Sequence, residues 1–264
     1  KQTKEKMRKS GSRFHLRDYY SKATYYRFFI PELFPEFDKG IYLDCDTIVL
    51  TDPFDLYSLP LGNCPLAAAP EEVMQRFPVF GKYTETVLDV PRERYFSAGV
   101  LLMNLKMMRE ERLEQAFLCL LEKKTYRVTQ DQDYLNVLFK DRVLLLETTW
   151  NHTAFPDTDP AARPHIVHFK MAWKPWHAPG VTYAPLFWKY ASGTPFYRDL
   201  LAQAEKYTPA VAAEDLAQFD ALSALAESET AAEEKAKKAY VQCAKRNKTL
   251  LLLKSNELSL ENIF

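Results

Sequence analysis

Short apolar runs alternate with helical patterns along the chain as far as Tyr207, which is typical of an α/β protein. Strands are predicted at residues 41–50, 98–105, 143–147 and 165–169. Several of these runs are apolar at consecutive positions, as expected of central parallel strands that helices cover on both faces. We therefore predict an α/β fold with a mixed sheet flanked by helices.

Helices are predicted between and after these strands, at residues 21–33, 106–124, 131–139 and 195–207. Thr230 and Glu233 form a capping-box pattern, which predicts the start of a further helix. Because the last proline is Pro209, the remaining chain lacks that strong helix breaker. We predict one large domain at 1–208 and a helical C-terminal extension at 209–264.

Composition and charge narrow the classes of function. The 264 residues include 35 basic and 35 acidic side chains, so the chain has no net field to attract nucleic acid. The longest aliphatic run, residues 250–253, is far shorter than the roughly 20 residues that cross a bilayer. The four cysteines form no C-x-x-C pair, which argues against a zinc knuckle or a dithiol centre and favours a cytoplasmic protein.

The segment 235–254 carries seven basic residues and no acidic one. A basic amphipathic segment can lie on an anionic membrane surface, which would attach the protein to the inner face of the membrane. The same pattern also describes a solvated helix face or a contact between copies of the chain. Peripheral membrane contact and homo-oligomer contact through 230–264 therefore both stay open.

Two carboxylates, Asp44 and Asp46, follow the first apolar run. On an extended backbone, residues spaced i and i+2 point to the same side. Paired carboxylates at the carboxyl end of a strand suit Mg²⁺ or Mn²⁺, and that end of an open α/β sheet is where ligands bind. The spacing indicates a metal–diphosphate site, although Asp-x-Asp also opens ordinary turns.

His168 stands where another apolar run ends, and Lys174 follows six residues later. A neutral imidazole is a good ligand for a divalent metal, and a lysine offers a point charge to phosphate. A lone strand histidine is more often simply hydrogen-bonded, so His168 gains weight as a ligand only beside the two aspartates.

These segments together resemble glycosyltransferase family 8, over about residues 20 to 190. The motifs that carry the resemblance, in the family's order, are Ala23 to Arg27 followed by 33–35, Tyr42 to Asp46, Tyr95 to Leu105, Gln130 to Asn136, and His168 with Lys174 to Trp176. Five motifs in the right order are far more specific than any one of them.

The resemblance implies a GT-A-type, Rossmann-like fold and a retaining transfer of glucose or galactose from a UDP-sugar to a glycan or other hydroxyl acceptor, as in lipopolysaccharide biosynthesis. It makes 1–208 a catalytic domain, N-terminally incomplete, because the family's first nucleotide-binding strand would precede this chain. The metal, Mn²⁺ or Mg²⁺, would be bound by Asp44, Asp46 and His168.

The resemblance also assigns the remaining site residues. Those implied to bind the donor are Arg27, Ser97, Ala98, Gly99, Asp131, Gln132 and Lys174, the last on the diphosphate. Arg27, Asp131 and Gln132 would also act in catalysis. Glu71 falls where the family often has a carboxylate on the acceptor side.

Two positions depart from the family pattern, and the route to retention stays open. Ser97 replaces the usual asparagine, and Met171 replaces a glycine that lets the backbone approach phosphate. Retention requires either a covalent glycosyl-enzyme or same-face attack in a short-lived ion pair. Gln132 is a poor nucleophile, so Asp131 or Asp133 would have to serve in the covalent route, and the amide favours the ion pair.

Two other classes of function fit part of the sequence. Asp44 to Thr47 also matches the D-x-D-x-T of haloacid-dehalogenase phosphatases, but the downstream acidic pair that such enzymes use to hold Mg²⁺ is missing. A non-catalytic module could bind a glycan or a partner through Trp173, Trp176 and Trp188, although aromatic residues at this density more often fill a core.

Overall fold

The structure, a computed structural model, describes residues 22–159 and 162–260. The described strands are β1 (Gly40–Leu43), β2 (Thr47–Val49), β3 (Leu66–Pro70), β4 (Phe96–Met103), β5 (Val143–Leu145), β6 (His152–Thr153) and β7 (Ile166–His168). The described α-helices are α1 (Ile30–Leu33), α2 (Pro53–Tyr57), α3 (Glu72–Arg76), α4 (Pro78–Val87), α5 (Leu105–Glu110), α6 (Leu113–Lys123), α7 (Asp131–Phe139), α8 (Ala184–Ala191), α9 (Tyr197–Ala204) and α10 (Pro209–Leu260). Two 3₁₀ helices are described at Lys22–Phe29 and Thr148–Asn151.

Strand β4 is the centre of the larger sheet, whose order is β1-β4-β3-β5. All eight of its residues are buried, as the apolar run 98–105 predicts. Both of its neighbours nevertheless run antiparallel to it, and the parallel pair in this sheet is β3 with β5. The sheet is mixed, as predicted, but its most buried strand is not a parallel one.

The predicted strand 41–50 is two strands in two sheets. β1 pairs with β4, whereas β2 pairs antiparallel with β7 in a second sheet of order β2-β7-β6. Asp44 to Asp46 form the turn between them, and the Thr47 hydroxyl donates to the Asp44 carbonyl oxygen at 2.8 Å. The two carboxylates therefore lie where the chain leaves one sheet and enters the other.

Two helix predictions need correction. The predicted helix 106–124 is broken into α5 and α6 by Arg112, whose φ of 56° is left-handed and ends the helical run. The predicted helix start at Thr230 is wrong, because Thr230 lies inside α10. Its hydroxyl donates to the Ala226 carbonyl oxygen at 2.7 Å, the bond of a threonine in a helix interior rather than of a cap.

Helix α10 packs against α4 and joins the main core. Leu222 and Ala226 are buried in the cluster that also contains residues of β4, α6 and α7. Lys82 pairs with Glu234, and Lys124 pairs with Glu233, both at 3.0 Å. The predicted helical extension is thus present, while the domain boundary at 208 stays a prediction. Within the described ranges, no helix combines the length and apolar character needed to cross a membrane.

Candidate active site

Asp44, Asp46 and His168 lie together at the junction of the two sheets. The His168 Nε2 atom is 3.1 Å from Asp46 Oδ1 and 3.8 Å from Asp44 Oδ2. One ligand atom from each residue lies within 4.8 Å of the other two, and this is the only such group of three ligands among the described residues. Two carboxylate oxygens and one imidazole nitrogen are a donor set that Mn²⁺ or Mg²⁺ accepts.

Asn151 orients the His168 ring. Its Oδ1 atom is 2.8 Å from His168 Nδ1, and its side chain is buried. An amide oxygen accepts a hydrogen bond, so this contact favours a proton on Nδ1 and leaves Nε2 free to bind a metal. The sequence did not identify Asn151 as a site residue. Its N-x-T tripeptide is a common chance match to a glycosylation site, and nothing in its 3₁₀ helix relates it to His168.

Gly99 is required by the close approach of Asp44 and His168 rather than by a turn. A Cβ atom at this position would lie 3.0 Å from Asp44 Oδ2 and would overlap the His168 ring. The backbone of β4 therefore passes directly beside both ligands, and the Gly99 carbonyl accepts from the Asp44 backbone N–H at 2.8 Å. Any side chain here would displace His168 or Asp44.

Arg27 connects the turn at Asp44 to Asp46 with the start of α7. This buried guanidinium lies 3.0 Å from both Asp44 Oδ1 and Asp131 Oδ2, and it also contacts the Ala98 carbonyl oxygen. It stacks on the Tyr42 ring at 4.4 Å from the ring centre. In this structure the hydrogen-bonding capacity of Arg27 is largely taken by protein groups, so it acts first to hold two carboxylates in place.

Gln132 is held by backbone and side-chain contacts. Its Oε1 atom accepts from the Ala98 N–H at 2.9 Å, and its Nε2 donates to the Tyr95 hydroxyl at 3.4 Å. The Tyr95 hydroxyl in turn donates to Asp133 at 2.8 Å. The amide therefore has a defined orientation at the wall of the cavity.

Asp133 is an internal anchor, not a cavity residue. It is fully buried and accepts from the hydroxyls of Tyr83, Tyr95 and Thr129 and from the Thr129 backbone N–H, at 2.7 to 3.1 Å. Both carboxylate oxygens are therefore engaged. This geometry argues against Asp133 as the nucleophile of a covalent route.

Asp131 is buried too, but it lines the cavity. Burial raises the pKa of Asp131 to about 6, against the opposing effects of Arg27 and of the Thr24 hydroxyl, which donates to it at 2.7 Å. Its two oxygens are thus occupied by Thr24 and Arg27. A carboxylate held this way is poorly placed to leave its partners and attack carbon.

Lys174 contacts Asp46, one of the three candidate metal ligands. Its ammonium contacts Asp46 Oδ2 and donates to the Phe169 carbonyl oxygen at 2.7 Å. Burial alone would raise the pKa of Asp46, but His168 and Lys174 outweigh burial and lower it. Asp46 is therefore ionised at neutral pH, the state that the binding of a cation would require.

Glu71 forms a buried ion pair with Lys170, whose Nζ atom lies 2.8 and 3.0 Å from the two carboxylate oxygens. Burial would raise the pKa of Glu71, but Lys170, Ser97 and the Val73 N–H lower it. Lys170 was not identified from the sequence. Its spacing of i+2 from His168 was the available signal, since alternate residues beyond a strand end tend to share a side.

Met171 keeps a backbone conformation that suits glycine. Its φ is 52°, at the position where the family resemblance expects glycine. The side chain of Met171 packs against the main core and lines the cavity. Met171 thus adopts the left-handed conformation that glycine favours and adds an apolar side chain to the cavity wall.

One cavity of about 410 Å³ collects the predicted site. All eleven residues named from the sequence line it: Arg27, Asp44, Asp46, Glu71, Ser97, Ala98, Gly99, Asp131, Gln132, His168 and Lys174. Their individual roles toward a donor or acceptor stay predictions. The structure adds Lys170, Met171 and Leu222 to the lining, and Asn151 behind it.

Comparison with known proteins gives a consistent result. A family model described as Glycosyl transferase family 8 matches residues 1–180. Glycosyltransferase GlyE of Streptococcus pneumoniae serotype 4 is 34% identical over 183 residues, which cover 64% of this chain and 41% of that protein. The chain thus spans less than half the length of this relative.

Two solved glycosyltransferase structures resemble the chain. The bifunctional enzyme WbbM, in its apo form, has a TM-score of 0.62 at 29% identity, over 72% of this chain and 38% of WbbM. The galactosyltransferase LgtC, in complex with donor and acceptor sugar analogues, has a TM-score of 0.57 at 25% identity, over 76% of this chain and 73% of LgtC. These likenesses confirm the predicted GT-A-type α/β fold with mixed sheets and flanking helices.

Proposed function

Because this chain belongs to glycosyltransferase family 8, we propose that it transfers a hexose, glucose or galactose, from a UDP-sugar to a hydroxyl of a glycan acceptor. The transfer retains the anomeric configuration and depends on Mn²⁺ or Mg²⁺. Glycosyl transfer itself follows from the family, whereas the donor sugar, the stereochemistry and the metal are proposals.

The grouping of Asp44, Asp46 and His168 within 4.8 Å is the observation that carries the proposal. The donor atoms fit a hard divalent cation, and the Asn151 contact leaves the correct imidazole nitrogen available. A cation bound there would neutralise negative charge on the diphosphate leaving group. Because the third donor, His168, is the last residue of β7, a shared cation requires the Asp-x-Asp turn to lie beside the end of that strand.

The other cavity residues would act on the sugar and on the leaving group. Lys174 would exchange Asp46 for a diphosphate oxygen and stabilise the charge that develops as the glycosidic bond breaks. Arg27 holds Asp131 in place to accept hydrogen bonds from sugar hydroxyls. The fixed amide of Gln132 would face the anomeric carbon as a weak electron donor.

Retention through a short-lived ion pair fits this geometry better than a covalent intermediate. Asp133 is enclosed by four donors, and both oxygens of Asp131 are engaged by Thr24 and Arg27. Gln132 is the remaining cavity side chain at the start of α7, and an amide is a poor nucleophile. We therefore propose same-face attack by the acceptor hydroxyl on an ion pair.

The acceptor class and the cellular location are also part of the proposal. LgtC was solved in complex with donor and acceptor sugar analogues, which supports a glycan as the acceptor class here. The chain covers 41% of GlyE and 38% of WbbM, so the activity of the whole protein is a proposal. Cytoplasmic placement, with or without membrane contact through 230–264, stays part of it.

Hydrolysis of the donor by water tests the function without knowledge of the acceptor. We expect the protein to release UDP from UDP-glucose or UDP-galactose with Mn²⁺ present, and to lose this activity when the metal is chelated. Proton NMR of the released sugar would show the α-anomer first if configuration is retained. Absent turnover would favour the non-catalytic alternative, and turnover that chelation does not reduce would overturn the proposed metal dependence. Rapid cleavage of a chromogenic phosphate ester without UDP-sugar hydrolysis would favour the phosphatase.

A further inference from the structure

A second cavity, of about 430 Å³, lies between the first turns of α10 and the segment 171–178. Its walls are largely apolar, and the residues that form them include Phe77, Met171, Trp173, Leu216, Phe219 and Leu222. A volume of this size is in the range of small-molecule sites. The family motifs do not account for it, because α10 lies beyond the matched residues 1–180.

This apolar cavity adjoins the catalytic cavity. Met171 and Leu222 line both of them, so these two side chains form the partition. Met171 is held there by its left-handed backbone, and Leu222 by burial in the main core. A molecule whose reactive end lies among the catalytic residues would need to pass only these two side chains to place its other end in the apolar cavity.

Asp215 and Tyr207, two of the polar side chains that line the apolar cavity, contact His177. The His177 Nε2 atom is 2.9 Å from Asp215 Oδ2, and the His177 ring packs edge-on against Tyr207. Burial raises the pKa of Tyr207, and the Asp215 carboxylate adds to that effect. What this compartment offers to a ligand is burial of apolar surface, which suits a hydrocarbon chain or an aromatic ring and not a phosphate or a cation.

We propose that the apolar cavity binds the apolar aglycone of the acceptor, so that the substrate class is a glycoside with an alkyl, lipid or aryl group rather than a free sugar. This proposal rests on the proposed function, since it takes the neighbouring cavity as the place of transfer. The side chains of Met171 and Leu222 would then lie beside the bond that joins the sugar to its apolar group.

A pair of tryptophan substitutions on α10 tests the proposal. Ala221 and Ala224 are both exposed, but of the two only Ala221 lines the cavity. Ala221→Trp therefore fills the compartment, and Ala224→Trp is the matched control with the same change in size and helix propensity. Both variants leave the residues that line the catalytic cavity unchanged.

The probes are methyl, butyl, hexyl and octyl β-glucosides and β-galactosides, below their micelle concentrations. Calorimetric titration into protein loaded with UDP and Mn²⁺ should show affinity rising by about fourfold per methylene in the wild type and in Ala224→Trp. In Ala221→Trp the affinity should be nearly independent of chain length. Affinity that does not rise with chain length in the wild type, or that rises equally in all three proteins, would overturn the proposal.

Two further measurements identify other outcomes. Lipid vesicles that bind the control but not Ala221→Trp, without chain-length dependence among soluble glycosides, would assign the cavity to a membrane surface and overturn the proposal. UDP-glucose and UDP-galactose hydrolysis by all three proteins tests the proposed function separately. If hydrolysis is absent while the chain-length series holds, the proposed function fails and the apolar binding site remains.

Discussion

Asp46 and Asp131 are carboxylates in one cavity, and the protein shifts their pKa values in opposite directions. Burial would raise the pKa of Asp46, but His168 and Lys174 outweigh burial and lower it. Asp131 is more deeply buried, and burial outweighs Arg27, so its pKa rises to about 6. The pKa of Asp46 is thus governed by its hydrogen-bonding and charged neighbours, whereas that of Asp131 is governed by the loss of water around it.

The largest effect should come from removing the charge of Asp46, one of the three proposed metal ligands. We expect Asp46→Asn to lower metal-dependent UDP-sugar hydrolysis by about 10³-fold or more, because a neutral amide binds a divalent cation weakly and the leaving group loses its main stabilisation. The rate of UDP release under saturating donor and Mn²⁺ is the measurement. A thermal unfolding curve close to that of the wild type would show that the fold is kept.

Asp55→Asn is the matched control for this variant. Asp55 is an exposed aspartate on α2, nine residues along the chain and outside the cavity. Its replacement should leave the hydrolysis rate unchanged. Undiminished activity in Asp46→Asn would exclude that carboxylate as a ligand and would remove the contrast with Asp131.

The positions of the three predicted metal ligands could be read in part from the sequence. Asp44, Asp46 and His168 each stand where an apolar run ends, so their position at a sheet edge followed from the alternation of residue types. Their convergence depended on the resemblance to the family, because no local pattern says which strands become neighbours. The structure agrees on the position, yet the run 41–50 is divided between two sheets at that point.

The next effect separates structural carboxylates from functional ones within a single helix start. Asp133→Asn should lower the free energy of unfolding by about 2 kcal/mol, since an amide nitrogen would then face the Thr129 N–H or the Tyr83 hydroxyl and lose a buried acceptor. Chemical denaturation measures this loss. Per folded molecule, donor hydrolysis should change much less than in Asp46→Asn, and a fully folded but inactive variant would give Asp133 a chemical role.

A smaller effect is expected from Asn151, which contacts the proposed metal ligand His168 from outside the cavity. Asn151→Ala removes the acceptor that orients His168, so metal affinity should fall by about 10- to 100-fold, the usual range for such partners. The maximal hydrolysis rate should recover when Mn²⁺ is raised. Titration of activity against Mn²⁺ checks this, and a loss that excess metal does not restore would mean that Asn151 supports the fold or the sugar instead.

Asn151 also shows what sequence patterns could not supply. It lies in a short 3₁₀ helix, and its role in orienting the His168 ring depends on its distance to that ring. The parallel pairing of β6 with β7 sets this distance. The break at Arg112 also escaped the sequence pattern, since a left-handed residue with an ordinary side chain has no local signature. Hydrophobic periodicity reports only local preference, so neither feature could be predicted from it.

The smallest effect tests the Asp131 side of the comparison through pH. Because burial raises the pKa of Asp131 to about 6, lowering the pH below that value protonates it and weakens its pairing with Arg27. Donor hydrolysis should therefore fall about tenfold per pH unit below 6 and be flat above it. Protons that compete with the metal for its ligands would also lower the rate, but excess Mn²⁺ would restore it. We expect the loss of activity at low pH to persist at saturating Mn²⁺. A loss that shifts along the pH axis with metal concentration would instead assign the titration to Asp44, Asp46 or His168.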